Sequence, residues 1–216
     1  MIINHSLKFI FLHVPKTAGT SVTSWLSEHT GWNDIELGGT HYGEQIQAIY
    51  GQRFKLHKHS PANQVKSIVG SDIWNSYYKF AIVRHPLDRL VSAFHFYQAW
   101  EHPSVAPAKE CKNINEFLNS AYFDKDRRNC TRSTGSQAKF LESPQNEPLD
   151  KICRFEMLED DIAEVADFLR INLPQLPHKN KTAHDTFQAY FTPEMRALAE
   201  GIYFSDFLAF GYQLSA

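Results

Sequence analysis

Apolar runs in this chain alternate with segments whose apolar residues recur on one helical face. Residues 7–14, "LKFIFLHV", are aromatic and branched enough for a buried strand. After Gly19, the residues Val22, Trp25 and Leu26 fall at positions i, i+3 and i+4, which predicts a helix to about Glu28. The chain therefore begins with a strand, a loop and a helix.

Two later segments repeat this alternation, and a third predicts a helix alone. "KFAIVRH" at 79–85 predicts a strand, and Pro86 suits the first turn of the following helix. "KICRF" at 151–155 predicts a strand before a helix that ends near Leu169, and Thr192 with Pro193 predicts a capped helix. Strands that alternate with helices favour an α/β fold with three layers and a largely parallel central sheet.

Two segments between these elements carry polar side chains. "QRFKL" at 52–56 is a possible strand, and its alternation would place His57 and His59 on one face. Residues 103–150 are less regular, with a short helix around "INEFLNSAY" and a polar loop that we expect to lie over the site.

Composition limits the classes of function. With 216 residues, 43% of them apolar, the chain can bury one sizeable core, so we expect a single domain over residues 1–216. The formal net charge of −2 gives no global basic field, which argues against nucleic acid as a partner. Any anion site must therefore be local.

Cysteine usage and hydropathy bear on the compartment. Cys111, Cys130 and Cys153 have neither paired spacing nor an even count, which disfavours a zinc site and a disulfide framework. No apolar stretch is long enough to span a bilayer, and the first residues lack a secretory pattern. We expect a soluble, cytoplasmic protein.

The first candidate site is the loop "PKTAGTS" at 15–21, between a strand and a helix. At that position helix amides and the helix dipole favour an anion. Gly19 would let the backbone approach a ligand, Thr17, Thr20 and Ser21 offer hydroxyl groups, and Lys16 adds a mobile cation. The lysine precedes the glycine, so the loop is not the GxxxxGK[ST] motif of nucleotide kinases. A solvated lysine on an ordinary turn is the alternative.

The second candidate site is "VRHPLDRLVSAF". Arg84 ends a strand and Ser92 lies two turns into the next helix, so a guanidinium and a hydroxyl could meet at a second phosphate. Two anion sites after two strands predict a nucleotide with two anionic groups. Taken singly, Arg84 could equally form a salt bridge at the strand end, and Ser92 could be a small packing residue.

Both motifs resemble those of the sulfotransferases that use 3′-phosphoadenosine 5′-phosphosulfate. "HVPKTAGTS" is similar to their 5′-phosphosulfate loop and "IVRHPLDRLVSAFHF" to their 3′-phosphate motif. Within that family the sequence resembles in particular the carbohydrate sulfotransferases that act on uronic acid hydroxyls of heparan and dermatan sulfate, and their bacterial relatives. Weaker similarities at 57–62, 136–141, 154–169 and 203–212 extend the resemblance over nearly the whole chain.

The resemblance implies a P-loop-like sulfotransferase fold and a role for each motif residue. The 5′-phosphosulfate would be held by Lys16, Thr17, Ala18, Gly19, Thr20 and Ser21, and the 3′-phosphate by Arg84 and Ser92. Lys16 would also stabilise the leaving oxygen. The reaction would be an in-line displacement, which needs charge stabilisation and alignment and no metal.

The sequence offers more than one candidate for the general base. Uronyl-type enzymes carry a His-x-His pair in the corresponding segment, which implies His59 as the base here. Imidazole suits the role because its ordinary pKa is near neutrality. Since other branches use a carboxylate and this segment varies, His57, Glu44 and Asp72 stay open as alternatives.

The polar loop at 125–139 carries five cations, Lys125, Arg127, Arg128, Arg132 and Lys139. Such a cluster could bind an acidic acceptor or close over the nucleotide, although a solvated charge run is the simpler interpretation for most of them. Arg132, beside the Ser/Thr-rich turn, is our choice for a contact on the 3′ side of the nucleotide.

The acceptor and the rival functions remain open. Golgi relatives carry an anchor and a stem; we expect neither here, and therefore a small or lipid-linked saccharide hydroxyl as the acceptor. The rivals are a catalytically inactive nucleotide-binding module of the same fold and a small-molecule P-loop-like kinase. The sequence predicts no oligomeric state.

Overall fold

A computed structural model describes residues 1–143, 147–173 and 186–215 of the chain. Its contacts group into two compact units. The sheet unit contains Met1–Val83 and the described residues between 140 and 173, and the helical unit contains Arg84–Lys139 and the described residues from 186 onward. The expectation of one domain stays a prediction.

The sheet unit is built on five strands in the spatial order β3-β1-β2-β4-β5. Their bounds are β1 Ile2–Asn4, β2 Phe9–Leu12, β3 Ile35–Glu36, β4 Tyr78–Val83 and β5 Lys151–Arg154. The pairs β2–β4 and β4–β5 are parallel, whereas β1 is antiparallel to both β2 and β3, so four of the five strands share one direction. The predicted α/β fold with a mostly parallel central sheet is confirmed.

Both faces of the central strands are buried. Phe11 and Ile82 lie in a core cluster with Val22 of the first helix and Val165 of a later one. The alternate residues of the same strands, such as Ile10, are also fully buried. Burial on both faces is typical of parallel sheets, and it explains why these strands read as continuous apolar runs.

The described helices follow the predicted pattern in most places. In chain order they are α1 Gly19–Leu26, α2 His41–Phe54, α3 Ala62–Ser76, α4 Pro86–Ala99, α5 Ala106–Lys109, α6 Ile114–Leu118, α7 Ala121–Arg127, α8 Gln137–Leu141, α9 Leu158–Leu169, α10 Pro193–Ile202 and α11 Phe204–Phe210. Pro86 and Pro193 occupy first turns, and the Thr192 hydroxyl accepts from the Met195 amide, so both predicted helix starts are confirmed.

The predicted strand "QRFKL" is wrong. Helix α2 continues to Phe54 and ends where Lys55 adopts a left-handed conformation, with φ of 59°. At the other end of α2 the Thr40 hydroxyl accepts from the Gly43 amide, a helix-capping contact. Because residues 57–60 form a turn and not a strand, His57 and His59 do not share a strand face.

The helical unit has its own apolar core. Leu90 and Phe94 of α4 pack with Phe117 of α6 and with Tyr203 and Phe207 near the start of α11. The predicted polar loop at 125–139 is shorter than expected, since α7 extends to Arg127 and α8 begins at Gln137. No helix among the described residues is long and apolar enough to cross a membrane.

Candidate active site

The first candidate site, in the sheet unit, is the loop that joins β2 to α1. Two non-glycine residues of this loop have positive φ angles, Lys16 at 67° and Ala18 at 65°. Such a conformation costs on the order of 1–3 kcal/mol per residue and is concentrated at ligand sites. The Thr17 hydroxyl donates to the Val14 carbonyl at 3.0 Å, which helps hold the turn.

Helix α1 starts directly at this loop. Its N-cap residue is Ala18, whose methyl group cannot accept a hydrogen bond from the first-turn amides as Ser, Thr or Asp would. The positive end of the helix dipole is therefore left to attract an anion. Thr20 is half-buried and Ser21 is buried in that first turn, while the hydroxyl proton of Thr17 is used inside the loop.

Packing against His13 explains why a glycine is needed at position 19, which the sequence did not reveal. Its missing side chain leaves room for the imidazole of His13, and a Cβ at this position would overlap the His13 ring. His13 is buried, and its Nδ1 lies 3.4 Å from the Thr23 hydroxyl of α1. The buried histidine thus packs between the end of β2 and the first turns of α1.

His59 is attached to the same loop. Its Nδ1 lies 2.7 Å from the backbone carbonyl oxygen of His13, and the two imidazole rings meet edge to face with centroids 4.8 Å apart. A carbonyl oxygen can only accept, so Nδ1 of His59 carries the proton and Nε2 carries the lone pair. This is the tautomer that a base acting through Nε2 requires.

Burial and nearby positive charges favour the neutral form of both histidines. Burial lowers the pKa of His59 to about 3, the hydrogen bond to His13 opposes this, and the charges of Lys58 and Lys16 lower the pKa further. Burial also holds the pKa of His13 well below its ordinary value. An imidazole with ordinary surroundings would titrate near pH 6.5, so the structure shifts protonation of His59 far into the acidic range.

The three alternative bases lie in different surroundings. His57 is exposed, and its amide donates to the Ser60 hydroxyl at 2.9 Å within the turn. Glu44 accepts from the Gly39 amide at 2.9 Å and pairs with Lys58 at 3.4 Å, so its carboxylate supports the loop before α2.

Asp72 lies toward the end of the sheet where the parallel strands begin, whereas His59 lies where β2 ends. It is exposed near the end of α3, which leads directly into the start of β4. Since Tyr78 of β4 pairs with Phe9 at the start of β2, Asp72 precedes the edge where these parallel strands begin. His59 contacts the residue that follows the end of β2, about four strand residues or ~13 Å away along the strand direction.

The second candidate site, in the helical unit, is centred on Arg84. This residue is 8% exposed, and its Nε donates to Asp88 Oδ2 at 2.7 Å. Arg84 therefore forms a salt bridge, which was the alternative that the sequence left open for this residue. Asp88 and Ser92 are four residues apart on α4 and share one face, so Ser92, which is buried, lies one turn beyond the Arg84–Asp88 pair.

The backbone of Arg84 is held by a glutamine far along the chain. The Arg84 amide donates to Gln137 Oε1 at 3.0 Å, and Gln137 Nε2 donates to the Arg84 carbonyl oxygen at 2.8 Å. Gln137 is fully buried, and its own amide donates to Asp206 Oδ2 at 2.9 Å. Asp206, also fully buried, accepts in addition from the Ala138 amide at 3.0 Å and from the Ser136 hydroxyl at 2.5 Å.

The loop before α8 is fixed by further buried polar groups. The guanidinium of Arg89 donates to the carbonyl oxygens of Ser133 and Gly135. Tyr203 donates to the Thr134 carbonyl oxygen at 2.8 Å. The backbone of this loop is thus anchored by buried side chains, although its sequence had suggested a solvated charge run.

The cations of this loop are mostly at the surface. Arg127 and Arg128 pair with Asp124 at 2.6 and 2.5 Å. The Arg132 side chain is 53% exposed, with its Nε 4.0 Å from Asp126 Oδ1. Its contact with a nucleotide stays a prediction.

In the described ranges, no cluster of three or more His, Cys, Asp or Glu side chains could hold a metal ion. The expectation that the reaction needs no metal is not tested by this observation and stays a prediction.

Comparison with known proteins places the chain in a family. The family model described as "Sulfotransferase family" matches residues 1–213, and the chain belongs to the sulfotransferase family, whose chemistry is sulfuryl transfer. A solved structure, mouse sulfotransferase SULT7A1 complexed with PAP, is similar with a TM-score of 0.55 and 14% identity over 95% of this chain and 85% of that chain. This likeness shows the fold. The search of curated proteins found no match.

Four residues with clear structural roles at these sites were not found from the sequence. His13 lies inside the first motif and Arg89 inside the second, but neither residue type marks the role of a packing or anchoring group. Gln137 and Asp206 lie more than 50 residues from Arg84, with separations of 53 and 122 residues. The one sequence signal for Gln137 and Asp206 is that they lie inside the weakly similar segments 136–141 and 203–212, which by themselves assign no role to either residue.

Proposed function

We propose that this protein is an enzyme that transfers the sulfuryl group of 3′-phosphoadenosine 5′-phosphosulfate to a hydroxyl group of a saccharide or glycolipid. The observation that carries the proposal is the bond from His59 Nδ1 to the carbonyl oxygen of His13. It joins a neutral imidazole, in the tautomer of a base, to the loop that carries Lys16. Membership of the sulfotransferase family supports the reaction class.

The proposal assigns one candidate anion site of the chain to each of the donor's two anionic groups. The 5′-phosphosulfate would be held by the left-handed loop, the Ala18-capped start of α1, and Lys16, Thr20 and Ser21, with Gly19 and Thr17 shaping the turn. The 3′-phosphate would be held by Arg84 and Ser92, with Arg132 as a further contact. The similar fold of SULT7A1, whose structure contains PAP, supports this choice of donor.

The reaction transfers one proton and exchanges one sulfur–oxygen bond for another. His59 Nε2 accepts the proton of the acceptor hydroxyl as its oxygen forms a bond to sulfur. Lys16 stabilises the negative charge that grows on the bridging oxygen as the bond from that oxygen to sulfur breaks. Loose displacements of this kind depend mainly on alignment and charge stabilisation.

A low pKa has two consequences for His59 as a base. With a pKa lowered to about 3, the imidazole is neutral throughout the neutral pH range, so its lone pair is available there. It is also a weak base, so proton transfer would come late, when bonding to sulfur has already made the hydroxyl acidic. The nearby charges of Lys16 and Lys58 lower this pKa, and bound anionic donor would offset them.

The choice of a saccharide acceptor rests on the resemblance to uronyl-type enzymes. A cytoplasmic location likewise stays a prediction. The test is a screen with radiolabelled sulfate donor against saccharide, glycolipid and phenolic acceptors. We expect label to appear on a saccharide or glycolipid with wild-type protein and not with His59→Ala. Transfer to phenols alone would contradict the acceptor class, and bisphosphate binding without transfer to any acceptor would favour an inactive binding module.

A further inference from the structure

The strongest unassigned feature of the helical unit is the pair of hydrogen bonds between Gln137 and the backbone of Arg84. One carboxamide engages both hydrogen-bonding groups of a single residue, at 3.0 Å to the amide and 2.8 Å to the carbonyl oxygen. Arg84 directly follows the last residue of β4, so its backbone groups lie beyond the ladder of that strand. Gln137 supplies the partners that a neighbouring strand would otherwise give.

The glutamine is itself fixed from behind. Asp206 of α11 accepts from the amides of Gln137 and Ala138 and from the Ser136 hydroxyl, which caps the first turn of α8 with a buried carboxylate. Gln137 and Asp206 are both fully buried. Because the buried carboxamide accepts through its oxygen and donates through its nitrogen to the same residue, its orientation is defined and it can fix the position of the group it holds.

From this geometry we propose that Gln137 is a positioning residue for the 3′-phosphate site: it holds the backbone of Arg84 so that the guanidinium is aimed at the nucleotide. The inference rests on the proposed function, because it assumes that Arg84 binds the 3′-phosphate. Asp88 fixes the Nε edge of the guanidinium, and Gln137 fixes the main chain from which the side chain extends. Both constraints act before any ligand arrives, which lowers the entropy lost on binding.

The experiment measures affinity for two nucleotides that differ only in the 3′-phosphate. Calorimetry with adenosine 3′,5′-bisphosphate and with adenosine 5′-monophosphate gives a ratio of affinities for each variant. Gln137→Met removes both hydrogen bonds at similar volume and adds no charge. We expect it to lower the ratio by roughly threefold to thirtyfold, mainly through the bisphosphate. Gln137→Asn, which keeps a polar group but withdraws it by one methylene, serves if the methionine variant does not fold, and should lower the ratio in the same direction.

A double-mutant cycle separates positioning from general stability. If Gln137 acts through the guanidinium, Gln137→Met should leave the ratio unchanged once Arg84→Ala is present. Two results would overturn the inference and leave the proposed function standing. One is an equal loss of affinity for both nucleotides. The other is an unchanged ratio in both glutamine variants while Arg84→Ala lowers the ratio to near one. A wild-type ratio near one would instead overturn the assignment of Arg84, and with it the proposed donor.

Discussion

The two candidate anion sites are built by different means. The loop after β2 is shaped by its own backbone, through left-handed residues at Lys16 and Ala18 and the first turn of α1. The site at Arg84 is shaped by side chains from distant parts of the helical unit, above all Gln137 and Asp206. A contiguous loop can be recognised as a motif, whereas a site held by a buried network shows only its ligand-facing residues in the sequence.

The largest expected effect separates His59 from its exposed neighbour. His59→Ala should lower kcat by about 10²–10⁴-fold, the usual contribution of a general base, while His57→Ala should change kcat little. Steady-state kinetics with an acceptor from the screen measures this. Retention of most activity by His59→Ala would move the base to another residue, with Glu44 the next to test.

The pH profile of the wild type tests the same assignment. Because burial lowers the pKa of His59 to about 3, the neutral base persists down to that range. The acidic limb of kcat/KM assigned to this group in the free enzyme should therefore lie well below pH 6.5, and activity should fall only as the imidazole becomes protonated. An acidic limb near pH 6.5 that disappears in His59→Ala would show that the imidazole is far less desolvated than the structure indicates.

The next effect concerns Lys16. Lys16→Ala should lower kcat by about 10²–10³-fold, comparable to the loss of one group that stabilises charge in the transition state. Its effect on affinity for the bisphosphate should be much smaller, because the stabilised charge develops only during transfer.

Lys8 provides the matched control for that variant. It is an exposed lysine with a φ of 56°, close to the 67° of Lys16, so Lys8→Ala changes the same side chain in a similar backbone conformation. Lys8→Ala should leave kcat and binding unchanged. If Lys16→Ala weakened the bisphosphate as much as it lowered kcat, Lys16 would be a binding residue with no special role in the transition state.

Gly19→Ala tests how tightly the loop after β2 is packed, and Gly201→Ala is its control. Gly19→Ala should lower the free energy of unfolding by about 1–3 kcal/mol, because the new methyl group would overlap the buried ring of His13. Gly201→Ala in α10 meets open space and should be neutral or stabilising by up to about 1 kcal/mol. Denaturant unfolding measures both, and equal stability of the two variants would show that His13 can move aside at no cost.

The sequence was sufficient for the elements whose patterns are long and local. The strands containing Phe11 and Ile82, the helix starts at Pro86 and Thr192, and the strand–loop–helix order all follow from apolar periodicity and capping residues. The segment 52–56 was misread because five residues that alternate in character also fit the last turn of a helix. Two features decided the outcome: the Thr40 cap, which lies twelve residues before this segment, and the left-handed conformation of Lys55, which its residue type does not indicate.

The candidate site could be predicted only in part, for a physical reason. Side chains that meet a ligand come in recognisable types and spacings, which is why Lys16, Arg84 and Ser92 could be proposed from the motifs. The groups that support them act through contacts between residues far apart in sequence, as Gln137 does for Arg84. The contact between His13 and Gly19 likewise depends on packing, which cannot be predicted from the spacing of residue types.

The most direct test of the proposed donor is calorimetry of wild type and Arg84→Ala with adenosine 3′,5′-bisphosphate and adenosine 5′-monophosphate. We predict that wild type binds the bisphosphate at least roughly tenfold more tightly than the monophosphate, since a charge-assisted contact contributes about 1.5–3 kcal/mol. In Arg84→Ala the preference should largely disappear. Equal affinity of the wild-type protein for the two nucleotides would contradict the assignment of Arg84 and Ser92 to a 3′-phosphate, and with it the proposed donor.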